Sequence, residues 1–510
     1  MNPRPIPARA SRRDFLRRAG AFSACGVAAP LALNLAALGS AGAQSATDYK
    51  ALVCIFLYGG NDAFNMVLPT DGPSWSAYLA ARDQRPDTIA LRPPGTPAVA
   101  TAGAGTPDRL GGVLPIAPTH AQGRSFALHP ALGALRDLFD ARRLAVVANV
   151  GPLLQPMSKA QYRDERSPRP AKLFSHNDQV STWQAGAPEG ATVGWGGRMG
   201  DLLASANARA VFTSISAASN AVWLSGREVT QYQVSPRGAI RIGGSGDTLF
   251  GSDVALRKLH AVMRNARSAH PLERDHAAVV GRSIDAEALL VSALPAANAA
   301  PYGTPGLASG SADPLLQYAD PLAGGRTTNP LAQQLQVVAR MIGARVALGQ
   351  RRQVFLVSLG NFDTHSGQNR TMTENMARLA HGLAYFDAAL AALGVADSVT
   401  TFTASDFGRS FTSNGDGTDH GWGAHHFVHG GAVRGGDVYG RFPALGRDDG
   451  RGDFTSADQL GNGVLLPSVS IDQYAATLAR WFGVSASQTL EVFPRLANFD
   501  ASTRDLGFMG

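Results

Sequence analysis

The sequence predicts an α/β protein organised around a mainly parallel sheet. Two observations predict the class. Four short apolar runs, residues 52–58, 144–150, 354–359 and 399–404, have the length and continuity of strands covered on both faces. Segments of helical spacing alternate with them. A third observation concerns chemistry. Of the twelve histidines in the 510 residues, six fall between positions 365 and 429, in company with Asp363, Asp406 and Asp419.

The first 43 residues read as an export address rather than as part of the fold. Ser11-Arg12-Arg13-Asp14-Phe15-Leu16-Arg17 has the twin-arginine pattern; an Ala/Leu-rich run over about 21–38 and the small residues Ala41-Gly42-Ala43 follow. Pro30 and Asn34 interrupt the run, which is too weak to cross a bilayer needing about 20 apolar residues. The expectation is a protein handled by the twin-arginine export machinery and delivered to the periplasm or beyond, with no stable membrane span after cleavage. Residues 1–43 carry six Arg and one Asp, so removing them takes the formal charge from +7 to about +2. With no basic stripe interleaved with aromatics, nucleic acid is excluded as a partner. Only Cys54 then remains, so no intrachain disulfide can form. Within an apolar strand it reads as a small buried hydrophobe.

Residues 44–510 are long enough for one large domain with insertions. The first strand runs into Gly59-Gly60-Asn61-Asp62. Residues 93–125 are a Gly/Pro/Thr-rich loop, and residues 296–328 a flexible Ala/Gly/Ser/Pro-rich excursion. Leu331, Leu335, Val338, Ile342 and Val346 recur at helical spacing. The third run leads into Gly360-Asn361-Phe362-Asp363-Thr364-His365. Met376, Leu379, Leu383, Phe386, Leu390 and Leu393 mark a second helix, with Thr371 and Glu374 as its capping box and Gly394 as its stop. The last run leads into Ser405-Asp406-Phe407-Gly408-Arg409, and residues 444–463 form a polar, Gly-rich loop.

Three predicted strands thus each end in an Asp. In open parallel sheets ligands bind beyond the carboxyl ends of the strands. Carboxylates delivered to one edge repel unless a cation holds them. Carboxylate and imidazole together suit a divalent metal, zinc ahead of manganese, calcium or magnesium. Taken singly, an Asp after a strand is a turn or cap residue, Asp416 and Asp419 included, and His381 within its helix is structural. Asp363-x-His365, Asp406 and Asp419-His420 together point to a metal site.

These segments, with Asp419-His420-Gly421-Trp422-Gly423, resemble a family of twin-arginine-exported bacterial proteins, a domain of unknown function grouped with the alkaline phosphatase and sulfatase superfamily. The likeness spans about residues 51–443. It implies an alkaline phosphatase-like three-layer sandwich with a mainly parallel central sheet and loop insertions. It also implies hydrolysis or transfer of phosphate or sulfate esters at a one- or two-metal site. Carried over by position, Asp62 is the first-strand ligand, Asp363 and His365 serve one metal, Asp406 the other, and His420 is a late ligand, with His425 and His426 as further candidates. The superfamily nucleophile lies at a helix start ten residues before a Gly. Counting back from Gly186 gives His176, with Ser175 beside it, so Ser175, His176 or a metal-activated water is the attacking group. Arg409 is a candidate oxyanion clamp. Phe407 stands where alkaline phosphatases have His, and one residue rather than three separates Asp363 from His365, which leaves a single-metal site open. The function expected is an exported metal-dependent ester hydrolase. The alternative is a non-catalytic secreted binding or assembly protein on the same scaffold. No convincing G-x-S-x-G elbow supports a serine hydrolase.

Overall fold

The apolar runs meet in one sheet. The computed structural model describes residues 48–241, 248–265, 270–307 and 312–510; the export segment 1–43 lies outside the described residues. The strands used below are β1 (Lys50–Leu57), β2 (Leu144–Gly151), β3 (Ser214–Ser216), β4 (Tyr232–Ser235), β5 (Gly238–Ala239), β6 (Arg352–Leu359), β7 (Val399–Ser405), β8 (Arg409–Ser413), β9 (Thr418–His420), β10 (Ala424–His429), β11 (Val438–Tyr439) and β12 (Val469–Ser470). The central sheet has the order β11-β2-β10-β7-β1-β6-β3-β4-β5, with β12 also on β2. Its middle is parallel: β1 pairs with β6 and β7, and β6 with β3. β10 runs antiparallel between β7 and β2. β8 and β9 form a separate hairpin.

Helices cover both faces. They are α1 (Gly72–Arg82), α2 (His176–Ala185), α3 (Trp195–Leu203), α4 (Pro330–Gly343), α5 (Gln368–Ala392) and α6 (Ile471–Phe482). Side chains alternate across a strand. Ala51, Val53, Ile55 and Leu57 of β1 therefore pack into the core shared with α4 and α5. Leu52, Cys54 and Phe56 pack on the other side, with Trp183, Trp195 and α6. The result is the expected three-layer α/β arrangement with a mainly parallel centre. Cys54 is buried, as expected, and burial pushes its thiol up, away from thiolate chemistry.

All four predicted strands form, each within two residues of its expected ends. The helix ends differ more. α5 begins at Gln368 behind Gly367, whose φ of 59° is left-handed, so Thr371 and Glu374 lie inside the helix. Glu374 there accepts from Tyr318 and Arg378 instead of capping. Its far end stops as expected, with Gly394 at φ 66° and Val395 N–H bonded to Leu390 O at 3.1 Å. α4 ends at Gly343, and Val346 is 81% exposed rather than a last core position. Within 296–328, Gln317–Ala319 and Arg326–Thr328 pair as an antiparallel hairpin. Among the described residues, no helix is long and apolar enough to cross a membrane.

Candidate metal centre

Register brings the site together. Leu57 of β1 pairs with Leu359 of β6 and with Ser405 of β7, so the three following loops leave the sheet at one level. Ser405 Oγ donates to Leu57 O at 2.7 Å and accepts from Asn61 N–H at 2.9 Å, tying two of those loops. Gly59 has φ 116°, and a Cβ there would collide with the Asp363 amide nitrogen. Only glycine lets the β1 and β6 loops cross this closely.

His176, Asp363 and His420 form the centre. Each offers one ligand atom, all within 4.8 Å of one another. They come from the start of α2, the loop after β6 and the end of β9. Both imidazoles are oriented from behind. His176 Nδ1 is 2.7 Å from Asp406 Oδ2, and His420 Nδ1 is 2.8 Å from the Phe174 carbonyl oxygen. Both acceptors require a proton on Nδ1, which directs each Nε2 toward Asp363. His176 Nε2 is buried with no aligned hydrogen-bond partner and lies 3.4 Å from Asp363 Oδ2. His420 Nε2 is 3.3 Å from Asp363 Oδ1. A tetrahedron with bonds of about 2.0–2.1 Å has edges of about 3.4 Å. Each imidazole meets the Asp363 carboxylate at that separation, His176 on Oδ2 and His420 on Oδ1, and one set of three ligand atoms lies within 4.8 Å. The residues present therefore suit the divalent metal that the sequence implies.

The electrostatics separate the three groups. The Asp406 hydrogen bond raises His176 above the ordinary imidazole value, against burial. Burial lowers His420, only partly offset by its bond to Phe174. Burial raises Asp363, but the Arg409 hydrogen bond and charge, with His176 and His365, outweigh it and hold the carboxyl below its ordinary range. Asp363 is thus an anion at neutral pH, beside one imidazole that favours its proton and one that resists it.

His365 stands beside this trio. Its Nε2 is 3.0 Å from His420 Nε2 and 3.2 Å from Asp363 Oδ1, and its Nδ1 is 3.3 Å from Asp419 Oδ1.

Other expected site residues have different partners. Asp62, expected as a ligand, is fully buried in a two-pronged ion pair with Arg82 (2.5 and 2.9 Å) and accepts from Gln368 Nε2 at 2.6 Å. Its charge is already met. Asp406, expected as a direct ligand, stands behind His176: one oxygen accepts from Gly59 N–H at 3.1 Å and the other holds the ring. Arg409, expected as an oxyanion clamp, is 0% exposed. Its guanidinium donates to Asp363 at 2.8 Å, to Gly59 O at 3.2 Å and to Thr418 O, so it braces Asp363 rather than reaching substrate. Ser175 is the N-terminal flank of α2, and its Oγ donates to Asp178 at 2.8 Å. His425 and His426, expected as further ligands, point into the core from β10. His425 Nδ1 accepts from Asn149 N–H at 3.0 Å, and His426 packs on Trp183 and Tyr474. Burial pushes both down to about 3, as befits neutral core histidines. His381 is structural as expected, bonded through Nδ1 to Asn329 Nδ2 at 3.1 Å.

Arg82, Gln368 and Thr418 are the residues missed. Thr418 Oγ1 donates to Gln368 Oε1 at 2.6 Å, linking the Asp62–Arg82 pair to the Arg409 brace. No pattern in their sequence neighbourhoods marks them. Beside the trio opens a cleft of about 510 Å³, lined by Tyr58, Asn177, Ser181, Gln184, Glu189 and Val222 together with His176, Asp363 and Asp406. Burial pushes Tyr58 up to about 12, against the hydrogen bond with Gln184, so its hydroxyl keeps its proton.

Fold and site together define an α/β protein with a His/carboxylate cluster at the carboxyl ends of its parallel strands. The chain belongs to the family described as "Protein of unknown function (DUF1501)", which matches residues 49–493. No curated protein matches the sequence. Among solved structures it is similar to Ps i-CgsB in complex with k-i-k-neocarrahexaose, at 9% identity over 88% of this chain and 74% of that one, with a TM-score of 0.34. It is also similar to a structure described as BT33494S-sulf, from work on glycosaminoglycan metabolism by Bacteroides thetaiotaomicron. That match has 11% identity over 86% of this chain and 74% of that one, with a TM-score of 0.32. Neither likeness bears on the chemistry of the site.

Proposed function

We propose that the protein is an exported, metal-dependent hydrolase of phosphate or sulfate esters, using a single divalent ion with zinc as first choice. The observation that carries this reading is the convergence of two Nε2 atoms on one ionised carboxylate, each imidazole fixed through its Nδ1. Two nitrogens and one oxygen with a side open to a cleft suit a catalytic zinc site. A cation there supplies Lewis acidity toward a phosphoryl or sulfuryl oxygen.

The remaining roles belong to the chain. His176, Asp363 and His420 hold the ion, Asp406 and the Phe174 carbonyl orient the rings, and Arg409 keeps Asp363 ionised. The start of α2 places partial positive charge beside the cleft, favourable to an anionic ester. Tyr58 donates a hydrogen bond to that ester, and Asn177, Ser181 and Gln184 orient its remainder. His365, backed by Asp419, holds or moves a proton at Nε2 beside the reacting group. Ser175 does not line the cleft, which favours attack by water over a covalent serine step.

The test is metal analysis of the purified protein, followed by hydrolysis of aryl phosphate and aryl sulfate with and without chelator. The expected result is about one equivalent of bound metal and chelator-sensitive turnover. Metal-free protein without chelator-sensitive turnover sinks the reading. A stable periplasmic partner recovered with the protein, and no turnover on a broad ester panel, favours the binding-protein alternative. Export is tested separately: Arg12→Lys with Arg13→Lys is expected to leave the precursor in the cytoplasm.

A further inference from the structure

A second cavity, of about 230 Å³, lies at the end of α2 away from His176, among α3, the start of α6 and the turn at Pro494–Asn498. Arg198, Arg495 and Asp472 line it. The two arginines are held by the last carbonyls of that helix: Arg198 Nη2 donates to Ala185 O at 3.1 Å, and Arg495 Nη2 to Gly186 O. Those bonds leave donors over, and Arg198 Nε has no partner. Asp472 is 9% exposed and, among the described residues, makes no hydrogen bond and no ion pair within 4 Å. Trp183 Nε1, on a side chain 2% exposed, is a further buried donor without a partner.

Buried polar groups are ordinarily satisfied, and unpaired buried charges cost free energy. Here a carboxylate and two guanidiniums line one space without bonding to each other, and that space is many times what a single water needs. A simple anion would satisfy the arginines and leave Asp472 opposed. A simple cation would do the reverse. Trp195 and Phe493 supply an apolar wall.

We propose that this cavity binds a free α-amino acid, its carboxylate on Arg198 and Arg495, its ammonium on Asp472 and its side chain against Trp195 and Phe493. Guanidinium–carboxylate pairing fixes one end of the zwitterion. Burial pushes the Asp472 carboxyl up to about 6, against the charges of Arg495 and Arg198, so at neutral pH it still presents an anion, which the first turn of α6 favours, to the other end. The site is independent of the metal centre and of the hydrolase reading.

The experiment is calorimetric titration and thermal shift of the full chain with the twenty free amino acids, acetate, methylammonium and N-acetylated amino acids. At least one free amino acid is expected to bind with a Kd of about 1 mM or tighter and to raise Tm. Acetate, methylammonium and the acetylated form are expected to bind at least about tenfold more weakly. Asp472→Asn, which removes a buried charge and retains the shape, is expected to fold and to lose at least about tenfold in affinity, as is Arg495→Met. Equal binding of acetate would overturn the proposal in favour of a plain anion site. Undiminished binding by Asp472→Asn, or no binding by any amino acid, would also overturn it.

Discussion

Two histidine–aspartate pairs sit at opposite ends of the same sheet. At the carboxyl ends of the parallel strands, His176 Nδ1 meets Asp406 Oδ2 at 2.7 Å; at the other end, His429 Nε2 meets Asp387 Oδ1 at the same distance. The pairs are chemically alike, yet their surroundings differ. Asp387 also carries an ion pair with Arg143 at 2.6 Å, and His429 is 1% exposed, closed off from solvent. Behind His176 the carboxylate has, among the described residues, the Gly59 N–H as its other hydrogen-bond partner, and in front the free Nε2 faces a second carboxylate, a second imidazole and the cleft. A His–Asp contact therefore does not make a site. A site needs the ring's other nitrogen aimed at further ligand atoms next to solvent.

Removing one partner at each end should break the likeness in different ways. The largest effect is expected at the closed end: Asp387→Ala leaves Arg143 and His429 without their anion. It should cost about 3–5 kcal/mol in urea unfolding and leave bound metal unchanged. A change in metal content there would show that the two ends are coupled. At the open end, His420→Ala should lower metal affinity at least about a hundredfold, or about 2.7 kcal/mol, in competition with a chelating dye. Wild-type affinity in that variant would place the ion elsewhere. Asp406→Asn keeps the shape behind His176 and removes the charge, so a loss of about 10–100-fold is expected.

The smallest effect is on pH dependence. The folded pKa of metal-free His176 is raised, so its stabilisation is present below the unfolded value of about 6.5 and is lost as pH rises through the folded value. Exposure of about a third of the side chain, and screening, hold this to a fraction of a kcal/mol. The stability gap between metal-free wild type and His176→Gln should therefore shrink above neutrality, and metal affinity should rise with pH as the ring proton is displaced. A gap that widens with pH would mean that the Asp406 contact does not favour the imidazolium.

Much of this arrangement was legible along the chain, for identifiable reasons. The strands were readable because both faces of β1, β6 and β7 are covered, which demands unbroken apolar runs. Asp363 and His420 follow from sequence position and family resemblance as ligands, whereas His176, expected as an attacking group beside Ser175, stands in the structure among the ligand atoms. The roles of Asp62 and Asp406 were not legible. Each follows a central strand, as Asp363 does, and only the folded chain brings Arg82 against one and His176 against the other. His425 and His426 looked like ligands by proximity to His420, but alternation and register on β10 send them into the core. α5 starts before the capping-box spacing of Thr371 and Glu374, because left-handed Gly367 turns the chain into the helix first.

Taken alone, the amino-acid order determined the layer architecture and delivered acidic and imidazole groups to the ends of the central strands, because periodicity and strand-end placement are local properties. Which carboxylate meets arginine, which orients a ring and which stays open to a cation was decided only by tertiary structure. Charge compensation depends on distances of a few ångströms between groups as far apart in sequence as His176 and Asp406, and no local pattern encodes those distances.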